Sequence, residues 1–278
     1  MKNIIILAAI LISGISAKAQ SLELDSKLVS KKDSCDVKNP KKTVYIFKQW
    51  HLDPTENTKF SKKQYEQSEN QIAIYDQIKK WMDNNTVHTV LAEGCSGEIK
   101  KDFSKKFNGW TMQDLITKPK DQAYGKILTH IPMKLKAYYA DKIQAICVDD
   151  EKEIKEQLLD MSDIRGDTGF LTRIQELKDD PDHQKVYVNS AREILKLPKT
   201  KSTDDVISYL KKDIEEKLQR VQDGISKRNK AMVENIKKTL DEKEVFVVGG
   251  LHAKELKSLL EDEKIGCEIL EPKGYKEF

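Results

Sequence analysis

The sequence predicts an α/β protein, with a mainly parallel central sheet flanked by helices and a large helical insertion at about 151–240. Three observations carry this. Short apolar runs recur along the chain, each followed by amphipathic helical sequence. The runs are near-continuously apolar rather than alternating, as in strands buried on both faces. One long stretch, 151–240, has few strand signals and many Lys, Glu and Leu positions.

The N-terminus reads as an export signal. Lys2 is a short basic region, Ile4 to Ile15 is almost unbroken apolar sequence, and Ala17-Lys18-Ala19 is a small-x-small cleavage site. The run is shorter than the ~20 residues that span a bilayer. No cysteine follows the site, so no lipid anchor is indicated, and no later run is long enough to cross a membrane. The expected parts are a signal peptide at 1–19, a flexible polar lead-in at 20–42, and a single α/β domain at 43–278. The expected location is periplasmic or secreted.

Thr43 to Phe47 is a β-branched and aromatic run that reads as the first buried strand. It leads into Lys48-Gln49-Trp50-His51, and Pro54 ends regular structure. Residues 61–83 read as a helix, with Tyr65, Ile72, Ile74, Tyr75, Ile78 and Trp81 at helical spacing. Thr86 to Ala92 is the second strand, closing at Glu93-Gly94. Helices occupy parts of 96–141. Ile143 to Val148 is the third strand, ending in Asp149-Asp150. In the insertion, Thr203-Asp204-Asp205 caps a long helix that Gly224 breaks or kinks. Glu244 to Val248 is the fourth strand, followed by Gly249-Gly250-Leu251-His252 and a helix. Cys267 to Leu270 is the last strand.

Composition narrows the partners. Without Lys2 and Lys18, 47 basic residues stand against 46 acidic ones, interleaved along the helices. There is no basic arm with interleaved aromatics, so nucleic acid is not an expected partner. The expected partner is a small-molecule or peptide substrate. Oligomeric state is not legible. Of the four cysteines, Cys147 and Cys267 lie in apolar strand-like runs and read as buried thiols. Cys35 and Cys95 lie in loop-like sequence and read as the more plausible pair, although all three connectivities remain open.

Ligands of open α/β sheets bind beyond the carboxyl ends of the strands. His51, Glu93, Asp149 with Asp150, and His252 stand at four such ends. Imidazole and carboxylate together bind a divalent metal or act as general acid and base. Gly249 and Gly250 fit a tight turn that brings backbone close to a ligand. The helix entered near His252 would offer its N-terminus to an anion. Asp150 reads as a helix cap. His88, His130 and His183 read as structural, and Trp50 as core.

Four segments carry a resemblance: Lys48-Gln49-Trp50-His51, Val90-Leu91-Ala92-Glu93, Arg228-Asn229-Lys230-Ala231-Met232, and Val247-Val248-Gly249-Gly250-Leu251-His252. In order and type they resemble the TraB/PrgY/GumN and Tiki proteins, which are related to erythromycin esterases and ChaN-like haem-binding proteins. The resemblance implies His51 and His252 as the two motif histidines, Glu93 as the acid and Arg228 as the helix arginine. It implies hydrolysis of a peptide or ester bond, assisted by a divalent metal (Zn, Mn or Co) on His51, Glu93 and His252. The alternative it implies is haem or anionic-ligand binding without catalysis. One departure stands out: the second G-x-x-H motif is intact, but Lys48 replaces the glycine of the first.

Overall fold

The computed structural model describes residues 22–50, 61–99 and 130–276. The expected signal peptide, His51 and the helices expected before residue 130 lie outside them. Within the described residues, seven strands form one sheet: β1 (Val29–Ser34), β2 (Thr43–Gln49), β3 (Thr89–Ala92), β4 (Ser96–Glu98), β5 (Gln144–Val148), β6 (Lys243–Gly249) and β7 (Gly266–Pro272). Six helices accompany them: α1 (Lys62–Asp83), α2 (Ile131–Tyr139), α3 (Glu151–Glu176), α4 (Pro181–Ile194), α5 (Thr203–Lys238) and α6 (Ala253–Asp262).

The strand order is β1-β7-β2-β6-β3-β5-β4. The five inner strands are parallel, and β1 and β4 close the two edges antiparallel. This is the α/β architecture expected from the sequence. Alternation along each strand sorts its side chains to two faces. Tyr45, Phe47, Val90, Val245 and Val247 join the core under α1 and α2. Val44, Ile46, Leu91, Phe246 and Val248 join the core under α5 and α6. Both faces are covered, which is why the strands read as unbroken apolar runs.

Helix α1 starts on a capping box, in which Ser61 accepts from the Gln64 N–H and the Gln64 side chain accepts from the Ser61 N–H. Its Trp81 packs tilted against Tyr45 and Phe47 at 5.4 and 5.7 Å between ring centres. The indole N–H donates to the Glu23 carbonyl at 2.7 Å.

Two sequence expectations change here. The segment expected as a flexible lead-in carries β1, which pairs with β7. Of its six residues only Val29 is buried, so no apolar pattern announces it. Lys31 and Lys32 instead meet Glu268 and Glu271 of β7. The disulfides also differ from the expected Cys35–Cys95 pair. Cys35 bonds Cys267, and Cys95 bonds Cys147. Each joins an edge segment to its sheet neighbour, β1 to β7 and the β3–β4 turn to β5. Pairing therefore follows strand order, which local sequence does not display. Two disulfides fit an oxidising compartment. No described helix is long and apolar enough to cross a membrane.

The insertion is built by α3, α4 and the first half of α5. Its own small core gathers Ile174, Val188, Ala191, Val206 and Leu210. At 1.5 Å per residue, α3 and α5 are about 39 and 54 Å long. Asp150 caps α3, as expected. Ser202, one residue before the expected cap, caps α5 through a box with Asp205. Gly224 does not interrupt α5. The second half of α5 lies on the sheet, where Met232, Val233 and Ile236 are buried. There the Asn235 amide donates to the Val148 carbonyl at 2.9 Å.

Candidate active site

Strands β2, β6, β3 and β5 are adjacent and parallel, so their carboxyl ends share one rim. Gln49 stands opposite Gly249, and Ala92 stands between Val247 and Cys147. Glu93, Asp149 and the Gly250–His252 turn therefore leave the sheet side by side. Of these, Glu93 lines a cavity of about 240 Å³, together with Gln49, His130, Gln157, Leu158 and Arg228 among others.

Glu93 and His252 face each other at these strand ends. Glu93 Oε2 lies 3.5 Å from His252 Nε2, and each side chain is 8% exposed. The other ring nitrogen of His252, Nδ1, lies 2.6 Å from Asn229 Oδ1. Asn229 is fully buried, and its amide nitrogen donates to Glu255 Oε2 at 2.8 Å. The Ser226 hydroxyl donates to the other oxygen, Glu255 Oε1. Glu255 stands in the first turn of α6. The anion expected at that helix N-terminus is thus supplied by the chain itself.

Arg228, the residue before Asn229, points to a different partner. Its Nε lies 3.1 Å from both Asp149 oxygens and its Nη2 lies 2.5 Å from Oδ2. Nη1 donates to Gln157 of α3. The Asp149 side chain is fully buried. It also accepts the Gly94 N–H at 2.9 Å and the Asp150 N–H at 2.8 Å. Burial pushes the Arg228 guanidinium down, but the hydrogen bond and charge of Asp149, with the charge of Glu93 added, hold it above its ordinary value. Arg228 therefore lines the cavity as a cation already balanced by a carboxylate.

Two glycines shape the rim. Gly94 has φ +78°, and its N–H serves Asp149. At Gly250, a Cβ would stand 1.9 Å from the Tyr275 hydroxyl. Gly250 therefore lets the C-terminal segment, rather than a ligand, close on the turn that carries His252.

His51 lies outside the described residues. Trp50 before it is buried and anchored to α1. Its N–H donates to Asn70 Oδ1 at 2.9 Å, and its carbonyl accepts from Gln71 Nε2 at 2.7 Å. Gln71 also accepts from Gln49 at 3.1 Å. Lys48 turns to β7, pairing with Glu271 at 2.9 Å and standing 5.2 Å from the Tyr275 ring centre. Its charge is met by a carboxylate instead of being directed at the rim cavity.

The sequence reads His130 as structural and does not single out Asn229 or Glu255. His130 lines the cavity beside Glu93. No strand end precedes it, so no sequence signal marks it. Asn229 could have been found from its place beside Arg228, and Glu255 from its place one turn after His252. His88 and His183 are exposed, as a structural role allows. Among the described residues, no group of three or more His, Cys, Asp or Glu side chains gathers closely enough to hold a metal ion. Comparison with protein-family models, with curated proteins and with solved structures returned no match.

Proposed function

We propose that this chain is a hydrolase exported to the periplasm or medium, and that it cleaves a peptide or ester bond at the β-strand rim with the help of a divalent cation. The supporting observation is the Glu93–His252 pair, in which Glu93 lines the cavity and His252 stands 3.5 Å behind it. His252 commits Nδ1 to Asn229, so Nε2 is its working nitrogen. A carboxylate offers only acceptors, and so does a neutral imidazole at its unprotonated nitrogen. Two such groups 3.5 Å apart hold together best around a proton or a cation. Oxygen and imidazole nitrogen are donor types that zinc-like ions take. The described residues supply two donors, and the sequence offers His51 as the third.

A cation bound there would polarise a substrate carbonyl and acidify water. The chain's own residues supply the rest. Glu93, inside the cavity, would meet the cation through one carboxylate oxygen and use the other to take the proton of the attacking water and return it to the leaving group. His252 is held in place by Asn229. Arg228 keeps positive potential beside Glu93 while tied to Asp149. The apolar lining of Ala92, Val247, Pro132, Ile154 and Leu158 favours an apolar substrate group next to the reacting bond.

Metal analysis of the purified protein, combined with a peptide and ester panel, tests this reading. Bound Zn, Mn or Co, with hydrolysis lost on chelation and in Glu93→Gln and His252→Ala, supports it. Metal-free protein whose hydrolysis ignores chelators sinks the cation. Absence of any hydrolysis across the panel sinks the enzyme. The haem-binding alternative draws less support. Haem carries propionates that would need cations, and Lys48 and Arg228, the cations next to the strand ends, are each held by a carboxylate.

A further inference from the structure

The bonds behind His252 form a directed chain from Ser226 through Glu255 and Asn229 to the imidazole. We propose that Glu255, acting through Asn229, sets which ring nitrogen of His252 carries the proton. Glu255 is a positioning residue, because it touches Asn229 rather than the imidazole.

The argument follows donor and acceptor chemistry. An Asn side chain has one accepting end and one donating end, and either can face a histidine. Here the choice is forced from behind. Ionised Glu255 can only accept, and its two oxygens take Ser226 and Asn229. The Asn229 amide must therefore turn its NH₂ to Glu255 and its carbonyl oxygen to His252 Nδ1. An accepting oxygen at 2.6 Å requires a proton on Nδ1. In the neutral ring Nε2 then carries the lone pair, on the side of Glu93. That is the form a base or a metal ligand needs, and such outer partners commonly fix a histidine's tautomer. Without the Glu255 charge, Asn229 can turn over and donate to Nδ1. The proton then moves to Nε2, where the Glu93 carboxylate accepts it.

The consequence for catalysis rests on the hydrolase reading, but the tautomer does not, and it is measured without any substrate. The experiment is a two-bond ¹H–¹⁵N correlation spectrum of the imidazole nitrogens in the full chain, after dialysis against chelator. The His252 signals, among those of five histidines, are those lost in His252→Ala. The wild type should show Nδ1 protonated and Nε2 unprotonated. Glu255→Gln should exchange the two shifts in a large fraction of molecules. The double variant Glu255→Gln with Asn229→Asp should restore the wild-type pattern, because an aspartate at 229 has no donor to turn toward the ring. Protonated Nε2 in the neutral wild-type ring overturns the proposal, as does an unchanged pattern in Glu255→Gln. If Glu255→Gln does not fold, Glu255→Ala takes its place, removing the charge without adding a donor: exchanged shifts support the assignment, and the wild-type pattern overturns it. Loss of hydrolysis with the tautomer intact would count against the enzyme reading alone.

Discussion

Arg228 grips Asp149 through two nitrogens, and Asp149 at the same time accepts the Gly94 N–H beside Glu93. One buried ion pair thus ties α5 to the ends of β3 and β5. Breaking a buried pair from one side leaves the other charge uncompensated and costs about 3–5 kcal/mol. Arg228→Ala should lose that much in urea unfolding. Arg228→Met with Asp149→Leu should recover only part, because the Gly94 N–H would still lack its acceptor. Full recovery would show that Gly94 needs no partner there.

The Cys95–Cys147 disulfide joins the two strand ends that carry the rim carboxylates, two residues after Glu93 and two before Asp149 in sequence. Replacing both cysteines by Ser should cost about 2–4 kcal/mol in stability. The proposed hydrolysis should also fall more than with the same change at Cys35 and Cys267, which lie away from the rim. Equal activity losses in the two double variants would remove this positional role.

Trp50 leads the chain toward His51, and α1 holds its backbone at both ends. Asn70→Ala leaves the buried Trp50 N–H without its acceptor and should cost about 1–3 kcal/mol. The proposed hydrolysis should fall further than this instability explains when it is assayed well below the unfolding midpoint. An activity change that only follows the folded fraction would make Asn70 purely structural.

Acid should weaken the β2–β7 contact. Burial raises the Glu271 carboxyl, but the hydrogen bonds and charges of Lys48 and Lys32 overcome it and hold the group below the ordinary carboxylate range. A depressed carboxylate adds stability that is present above its unfolded pKa and is lost as pH falls through the folded value. Glu271→Gln should therefore flatten the stability profile from about the ordinary carboxylate pKa downward, near pH 4. An unchanged acid limb in that variant would show that the Lys48–Glu271 pair contributes nothing.

The inner strands were legible because burial on two faces forces apolar runs such as Thr43 to Phe47 and Val245 to Val248. Glu93 and His252 were legible because parallel strands deliver their ends to one rim. What escaped is decided by neighbours far away in the chain. β1 is held by lysines on β7 carboxylates, and Ser-Lys-Lys-Asp carries no strand pattern. The disulfides depend on which strands lie beside which edges. Lys48 replaces a motif glycine next to the rim, and its direction depends on Glu271, which no local pattern pairs with it. His130 reaches the cavity from the start of α2 with no strand end to mark it.

The Cys35–Cys267 bond closes a covalent ring around nearly the whole domain, with a sequence separation of 232. The insertion lies inside that ring and outside the smaller loop closed by Cys95 and Cys147. A protease that nicks the exposed α3–α4 or α4–α5 connection therefore releases nothing. The two pieces stay joined and run as one species until a reductant is added. The outermost strand acts as a clasp, and the long helical arm can be cut without setting free either half of the rim.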